Sequence, residues 1–374
     1  MSTLKEIAQN KLDAKFESGR VNAQKMIIQL QNELDQSRDF LAPFGRHEIG
    51  DGGIEFGSNG HLRMNFQGNS MTVHNHAVTQ LGAKLGIPTA YLNGLADGNQ
   101  EKRDLAAYIL NSHRQWMDDD KRFLLRAVGD EVRGVLSNSY KRMDSKMVIN
   151  SFLQEVRTSE AKIADAHFEP TRYWIEALIP YIIDIPTEKN GIISMAFGVR
   201  VSNSDFGDGA LDIRSFMFQA VCTNGMVRES MMNKVHLGKR LGENIALSAE
   251  TYMHESKMMA SAVRDVTKLA LDSNQIRANI KAIQVAADTN VNLEKEFLRM
   301  ATRQVQKGEI VEIARILTQN DPEDGLNGEA TLWKLCQGIT AYARNVGGRR
   351  ERELAQIAGE LFDSRPMQKL SLVS

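Results

Sequence analysis

The chain is short of the residues that build several kinds of protein. Two cysteines in 374 residues, Cys222 and Cys336, are too few for a disulfide framework, and neither has neighbours at zinc-ligand spacing. That deficit fits a reducing compartment. No run of about 18 apolar residues could cross a bilayer, and the N-terminal MSTLKEIAQNKLDAKF is charged from Lys5 onward where a secretory signal would be apolar. A cytoplasmic chain with no membrane partner is the expectation. Charge of one sign is also missing: the formal net charge is -1, so attraction to nucleic acid must come from local patches, or from patches repeated in a homo-oligomer. GxxxxGK[ST], GxGxxG opening a helix after a strand, and GxSxG are absent. Their absence argues against an ATP-driven recombinase, a dinucleotide enzyme and an α/β-hydrolase, and no cofactor is expected.

What is present describes a globular protein. At 42% hydrophobic and 25% charged, the chain is long enough for one large domain or two to three small ones. Its 17 methionines read as adaptable core filler. The stretch from Ile192 to Arg240 is the one around which the rest is organised. Two apolar runs, 192–201 and 216–221, flank SNSDFGDGALDIR, a strand-loop-strand pattern whose loop reads as too polar for the core. Next comes CTNGM, whose Asn224-Gly225 suits a turn at positive φ, and then Lys234, His236, Lys239 and Arg240 around Gly238. Small side chains expose backbone N–H groups and cations follow them closely, a combination that receives an anion, above all a phosphate.

Apolar residues at helical intervals from Leu4 to Leu34 predict an N-terminal helical arm over residues 1–42, ended near Pro43. Glycine-rich alternating text from 45 to 72 predicts a hairpin or small meander, and 81–95 two short helices parted by Gly86-Ile87-Pro88. A hairpin across Gly129-Asp130, a helix from Ser145 and a strand over 174–185 broken by Pro180 follow. From 241 to 374 the pattern is helical. The expected fold class is α+β: a mixed or antiparallel β core with hairpins over 45–240, an N-terminal helical arm, and a C-terminal helical region.

Four segments, RAVGDEVRGVLSNSYKRMD at 126–144, VSNSDFGDGALDIRSFMFQAVCTNGMV at 201–227, HLG at 236–238 and TLWKLCQGITAYAR at 331–344, together resemble the phage/plasmid-like protein family, also called the domain of unknown function 932 family. LGAKLGIPTAYLNGL echoes it more weakly. The resemblance spans most of the chain in the expected order but leaves out the arm before Pro43. It implies a mobile-element setting in which such proteins accompany recombination and anti-restriction genes, and it implies no reaction.

Basic clusters supply the physical lead. From Lys121 to Arg142 six cations (Lys121, Arg122, Arg126, Arg133, Lys141, Arg142) face Asp130 and Glu131, a net of +4, and Arg344 to Arg352 carries four arginines against Glu351, a net of +3. Beside glycine- and asparagine-rich turns, these clusters point to a surface that follows a phosphate backbone, with Tyr140 or Phe206 to stack on bases. The competing reading of each cluster is a solvated charged face. No helix-turn-helix, zinc finger or basic zipper is legible, which favours single strands over duplex reading. The expected function is therefore single-stranded nucleic-acid binding in DNA metabolism, with strand annealing as one form. Its site residues are Arg126, Arg133, Tyr140, Lys141, Arg142, Asn203, Ser204, Asn224, Lys234, His236, Lys239, Arg240 and Arg344.

Two rivals stand beside it. Asp205, Asp208 and Asp212 share one loop and could hold Mg²⁺ for phosphodiester cleavage, although their spacing matches no established metal motif and Asp is common in turns. His74 and His76 would share one face of a strand, and Cys222 reads as packing. The other rival is a host protein bound by the helical arms.

Overall fold

The computed structural model describes residues 4–43, 53–56, 61–66, 69–118, 121–138, 140, 145–234, 249–319 and 330–363. The chain opens with α1 (Leu4–Asp35) and β1 (Ser37–Pro43), then β2 (Ile54–Phe56), β3 (Leu62–Phe66) and β4 (Asn69–Val73). Helices α2 (Asn75–Lys84), α3 (Thr89–Ala96) and α4 (Gln100–Arg114) precede the hairpin β5 (Arg122–Val128) and β6 (Glu131–Ser137). After α5 (Ser145–Thr158) come β7 (Lys162–Phe168), β8 (Tyr173–Leu178), β9 (Ile183–Thr187), β10 (Gly191–Asn203), β11 (Leu211–Gln219) and β12 (Asn224–Lys234). The last elements are helical: α6 (Ala249–Leu271), α7 (Ser273–Asp288), α8 (Leu293–Thr302), α9 (Lys307–Thr318), α10 (Leu332–Val346) and α11 (Gly348–Asp363). This is the α+β architecture expected, with helices at both ends. Among the described residues no helix is long and apolar enough to cross a membrane.

The strands form two sheets. The first runs β1-β5-β6-β4-β3-β2, antiparallel except where β4 lies parallel to β6. Its core is roofed by α2 and α4 through Ala77, Leu81, Ala106 and Leu110, which recur at helical spacing. The arm expected over 1–42 is therefore shorter as a helix: it stops at Asp35, and 37–43 pair with β5, because Phe40 and Ala42 alternate into that core.

The second sheet runs β12-β11-β10-β8-β7, with β9 also on β10, and is antiparallel throughout. One face carries Ile175, Val199, Val201 and Ile213 against α5 and α6, and further along it Phe197 and Met217 against the C-terminal helices. On the other face α1 lays Ala8, Leu12 and Phe16 over Phe216 and Phe218, where they meet Ala355 of α11. Farther along, Ala23 and Met26 of α1 join the cluster on the first face, so the helix wraps the β7 edge and keeps it from pairing with another strand.

Two local expectations change. The positive φ at the β11–β12 turn belongs to Thr223, whereas Asn224 and Gly225 already pair in β12 with Gln219 and Phe218. The loop after β10 is not a solvent loop: Asn203, Ser204, Asp205 and Phe206 are all buried, with the Asn203 amide, the Ser204 hydroxyl and the Asp205 carbonyl hydrogen-bonded within the protein.

Candidate anion site

Beneath α11 the second sheet carries a largely buried polar floor. Alternation along β8, β10 and β11 puts Trp174, Glu176, Arg200, Ser202, Asp212 and Arg214 on one face, with Arg200 opposite both Glu176 and Arg214, and Ser202 opposite both Trp174 and Asp212. Two arginines directly across a strand pair repel unless anions lie beside them. Glu176 accepts from Arg200 Nε at 2.8 Å and from its Nη2 at 2.5 Å, and Asp212 accepts from Arg214 Nε at 2.5 Å. From α11, Arg352 reaches over to Asp165 at 3.1 Å.

These groups line a cavity of about 410 Å³ holding five arginines, Arg172, Arg200, Arg214, Arg349 and Arg352, against two acids, Asp212 and Glu353, a net of +3. Four of the five have a carboxylate at ion-pair distance. Arg172 differs. Its guanidinium donates from Nη2 to Ser202 Oγ at 3.0 Å and from Nη1 to the Asp208 carbonyl at 3.2 Å, lies 5.2 Å from the Trp174 ring centroid, and leaves its buried Nε unbonded. Burial pulls its pKa below the ordinary arginine value, with Asp208 opposing and Arg349 assisting. Gly209, at φ +121°, makes this placement possible, since a Cβ there would run into that guanidinium.

Arg349 also lines the cavity; its Nη1 and Nη2 hold Asp208 at 2.8 and 3.0 Å while its Nε reaches Glu353 at 3.1 Å. Thr171 Oγ1 donates to the same aspartate at 2.5 Å. Burial alone would raise the Asp208 pKa, but Arg349 and Thr171 outweigh it and hold the carboxyl below its usual range. The arginine cluster 344–352 thus does meet the 203–208 loop, through Arg349.

Most residues expected to touch phosphate have structural partners instead. Arg126 is buried, donates from Nε and Nη2 to Asp39 at 2.8 and 2.9 Å and from Nη1 to the Asp205 carbonyl at 2.6 Å, and lies over the Tyr140 ring. Tyr140 is consequently no stacking platform; its hydroxyl lies 3.4 Å from the Ser204 carbonyl, and burial drives its pKa upward. Phe206 is buried too. Arg133 is taken by Glu33 at 2.6 Å and Glu131 at 2.7 Å. Asn203 donates to Ser145 at 3.1 Å, and Ser204 Oγ accepts from the amides of Phe206 and Asp208 at 3.1 and 2.8 Å. Arg126, Tyr140 and, across the Phe206 ring, Arg133 converge on the 203–206 segment, which they brace. Asn224 donates to Gln337 at 3.1 Å, and Arg344 binds the Cys222 carbonyl and Thr223 Oγ1, both at the far end of the β11–β12 hairpin. Lys141, Arg142, His236, Lys239 and Arg240 lie outside the described residues, as does the side chain of Lys234.

The three loop aspartates do not assemble a metal centre. Asp208 is gripped by Arg349, Asp212 by Arg214 and by the Ser230 hydroxyl, and among the described residues no cluster of three His, Cys, Asp or Glu could hold an ion. His74 caps α2 rather than sitting in a strand: its Nδ1 accepts from the His76 amide at 3.2 Å, and the His76 ring turns to the Phe206 carbonyl. Cys222 is buried.

Arg172, Trp174, Arg200 and Arg214 are not singled out by the sequence, and Arg349 and Arg352 enter it only as members of the 344–352 basic cluster. The signal was there in WIE, VRVSN and LDIR, where charged residues take alternate positions of strands whose other side chains are apolar. Compared with known proteins, the chain matches no family model, no curated protein and no solved structure.

Proposed function

We propose that this chain is a non-catalytic binder of single-stranded nucleic acid that anchors a backbone phosphate in the arginine-lined cavity. Arg172 carries the reading: it is a guanidinium aimed into that cavity with no carboxylate at ion-pair distance among the described residues. Arginine's planar fork suits phosphate better than a point charge does. The cavity's net of +3 gives local attraction that the near-neutral whole lacks, and several copies in a homo-oligomer would place such anchors along one strand. The resemblance to phage/plasmid-like proteins supports a place in the DNA metabolism of a mobile element.

The test is fluorescence anisotropy with a labelled single-stranded oligonucleotide across a salt series. Affinity should fall with a log-log slope of about -0.7 for each phosphate neutralised. Arg172→Ala should weaken binding roughly tenfold, about 1.4 kcal/mol, for all sequences alike. A flat salt response, or an Arg172→Ala protein that binds like the native one, overturns the reading. Cleavage that appears with Mg²⁺ would replace it with a nuclease.

A second reading, a protein partner, is favoured by one observation. Tyr108 on α4 and Trp116 just beyond it are 70% and 73% exposed, a large apolar surface. Co-purification of one host protein free of nucleic acid would promote it.

A further inference from the structure

We propose that a second cavity, beside the arginine-lined one, holds a nucleobase turned out of the strand, so that the two cavities together take one nucleotide. This rests on the phosphate-binding reading and extends it to the base.

The cavities share a single residue, Arg172, which stands just before β8 begins. Strand alternation sends Trp174 and Ser202 into the arginine cavity and their chain neighbours Tyr173 and Asn203 into the other. A ligand held by Arg172 therefore reaches both by passing round the start of one strand. The second cavity spans about 430 Å³ of space, part of it open to solvent.

Its chemistry is the reverse of its neighbour's. Arg126 and Arg172 face Glu33, Glu169 and Asp205, a net of -1, so a phosphate is repelled where a neutral ring is not. Leu34, Phe168, Tyr173 and Phe206 supply flat and apolar walls. The carboxylates and the Asn203 amide oxygen supply acceptors, which suit the exocyclic amino groups of adenine, cytosine and guanine; thymine has no such group. The binding modes that expose a base pair well with such a pocket: unstacking a single strand costs little, and the pocket recovers it by burying the ring.

Three labelled oligomers of equal length decide it: oligodeoxyadenylate, oligothymidylate and a fully abasic strand. The native protein should bind the adenylate at least tenfold more tightly than the abasic strand, with the thymidylate between them. Leu34→Trp, which fills the second cavity, should abolish that preference and leave abasic binding as it was, whereas Arg172→Ala should weaken all three. An abasic strand bound as tightly as the adenylate overturns the base pocket while sparing the phosphate anchor. Failure of the native protein to bind any of the three strands overturns both. If Leu34→Trp does not fold, the ranking of the three strands by the native protein is sufficient to uphold or overturn the base pocket.

Discussion

Arg349 and Asp208, 141 residues apart, meet as a two-pronged pair, Nη1 to Oδ2 at 2.8 Å and Nη2 to Oδ1 at 3.0 Å. A phosphate would engage the guanidinium in the same bidentate way. Under the proposed reading the aspartate therefore competes with a phosphate for this arginine. Asp208→Asn removes the competing charge and keeps an oxygen for Thr171, and it should raise oligonucleotide affinity several-fold at a stability loss of about 1 kcal/mol. Anisotropy titrations and urea melts measure the two. Weaker binding in the variant would show that Asp208 contacts the ligand instead of excluding it. The folded pKa of Asp208 is depressed, so its contribution to stability is complete above the unfolded value of about 3.9 and disappears as pH drops through the folded value. Native Asp208 should accordingly show a destabilisation below pH 4 that the asparagine variant lacks.

The Arg228 side chain is 2% exposed and bonds Asp363 Oδ1 through Nε and Nη2 at 2.8 and 2.5 Å and Asn279 Oδ1 through Nη1 at 2.7 Å. Asn279 continues to Ser215 at 2.9 Å, so one buried chain of bonds ties α7, α11 and two strands together. Removing one charge strands the other. Asp363→Ala should cost about 3–5 kcal/mol, while Arg228→Met with Asp363→Leu should cost far less, because no uncompensated ion is left in the interior. Chemical denaturation of the three proteins checks the order. A double variant less stable than the single one would mean that the network holds α11 in place by direction and not merely by satisfying charge.

The element pattern was legible in the sequence because each segment's period was clear: the Gly129 hairpin, the helices on either side of Pro88 and the long helical end all lie where their residues put them. Glycine-rich text misled at two points. Asn224-Gly225 looks like a turn, yet the partner strand takes both residues, and the polar loop at 203–206 is buried because two sheets close over it. The site was less legible still. Charge clusters along the chain say nothing of their partners, and Arg126, Arg133 and Arg352 each meet an acid that is remote in sequence, at Asp39, Glu33 and Asp165. The groove instead gathers one arginine each from β10, β11 and the turn before β8 and two from α11, brought together by strand register and by the packing of α11 on the sheet.

Gly359 lets α11 lie against β12. A Cβ at this position would collide with the Val227 carbonyl, a backbone atom that cannot swing aside, so Gly359→Ala must push the helix off the sheet. Helix propensity alone would predict the opposite, a gain of about 1 kcal/mol. Steric displacement should win, with a net loss of about 1–3 kcal/mol. Since α11 carries Arg349 and Arg352, oligonucleotide binding should weaken in parallel even though the mutated residue lines neither of the two cavities. A stabilised Gly359→Ala protein would place the helix farther from the strand than this packing requires.

His74 supplies the last prediction, a dependence of stability on pH near neutrality. Burial holds its pKa below the ordinary 6.5, and its Nδ1 must stay unprotonated to accept the His76 amide at the start of α2. Nearby Glu131 and Asp208 favour the charged form, whereas Arg133 and His76 oppose it. With a depressed folded value, the stability His74 contributes is complete above the unfolded pKa of about 6.5 and is lost as pH falls toward the folded one. Protonation also removes the cap, worth about 1 kcal/mol. Melting temperatures should therefore drop between pH 7.5 and 5.5 in the native protein. His74→Asn keeps a capping oxygen that does not titrate in this range, and it should flatten the drop while leaving the pH 7.5 value nearly unchanged. An equal drop in both proteins would assign the acid sensitivity to another group.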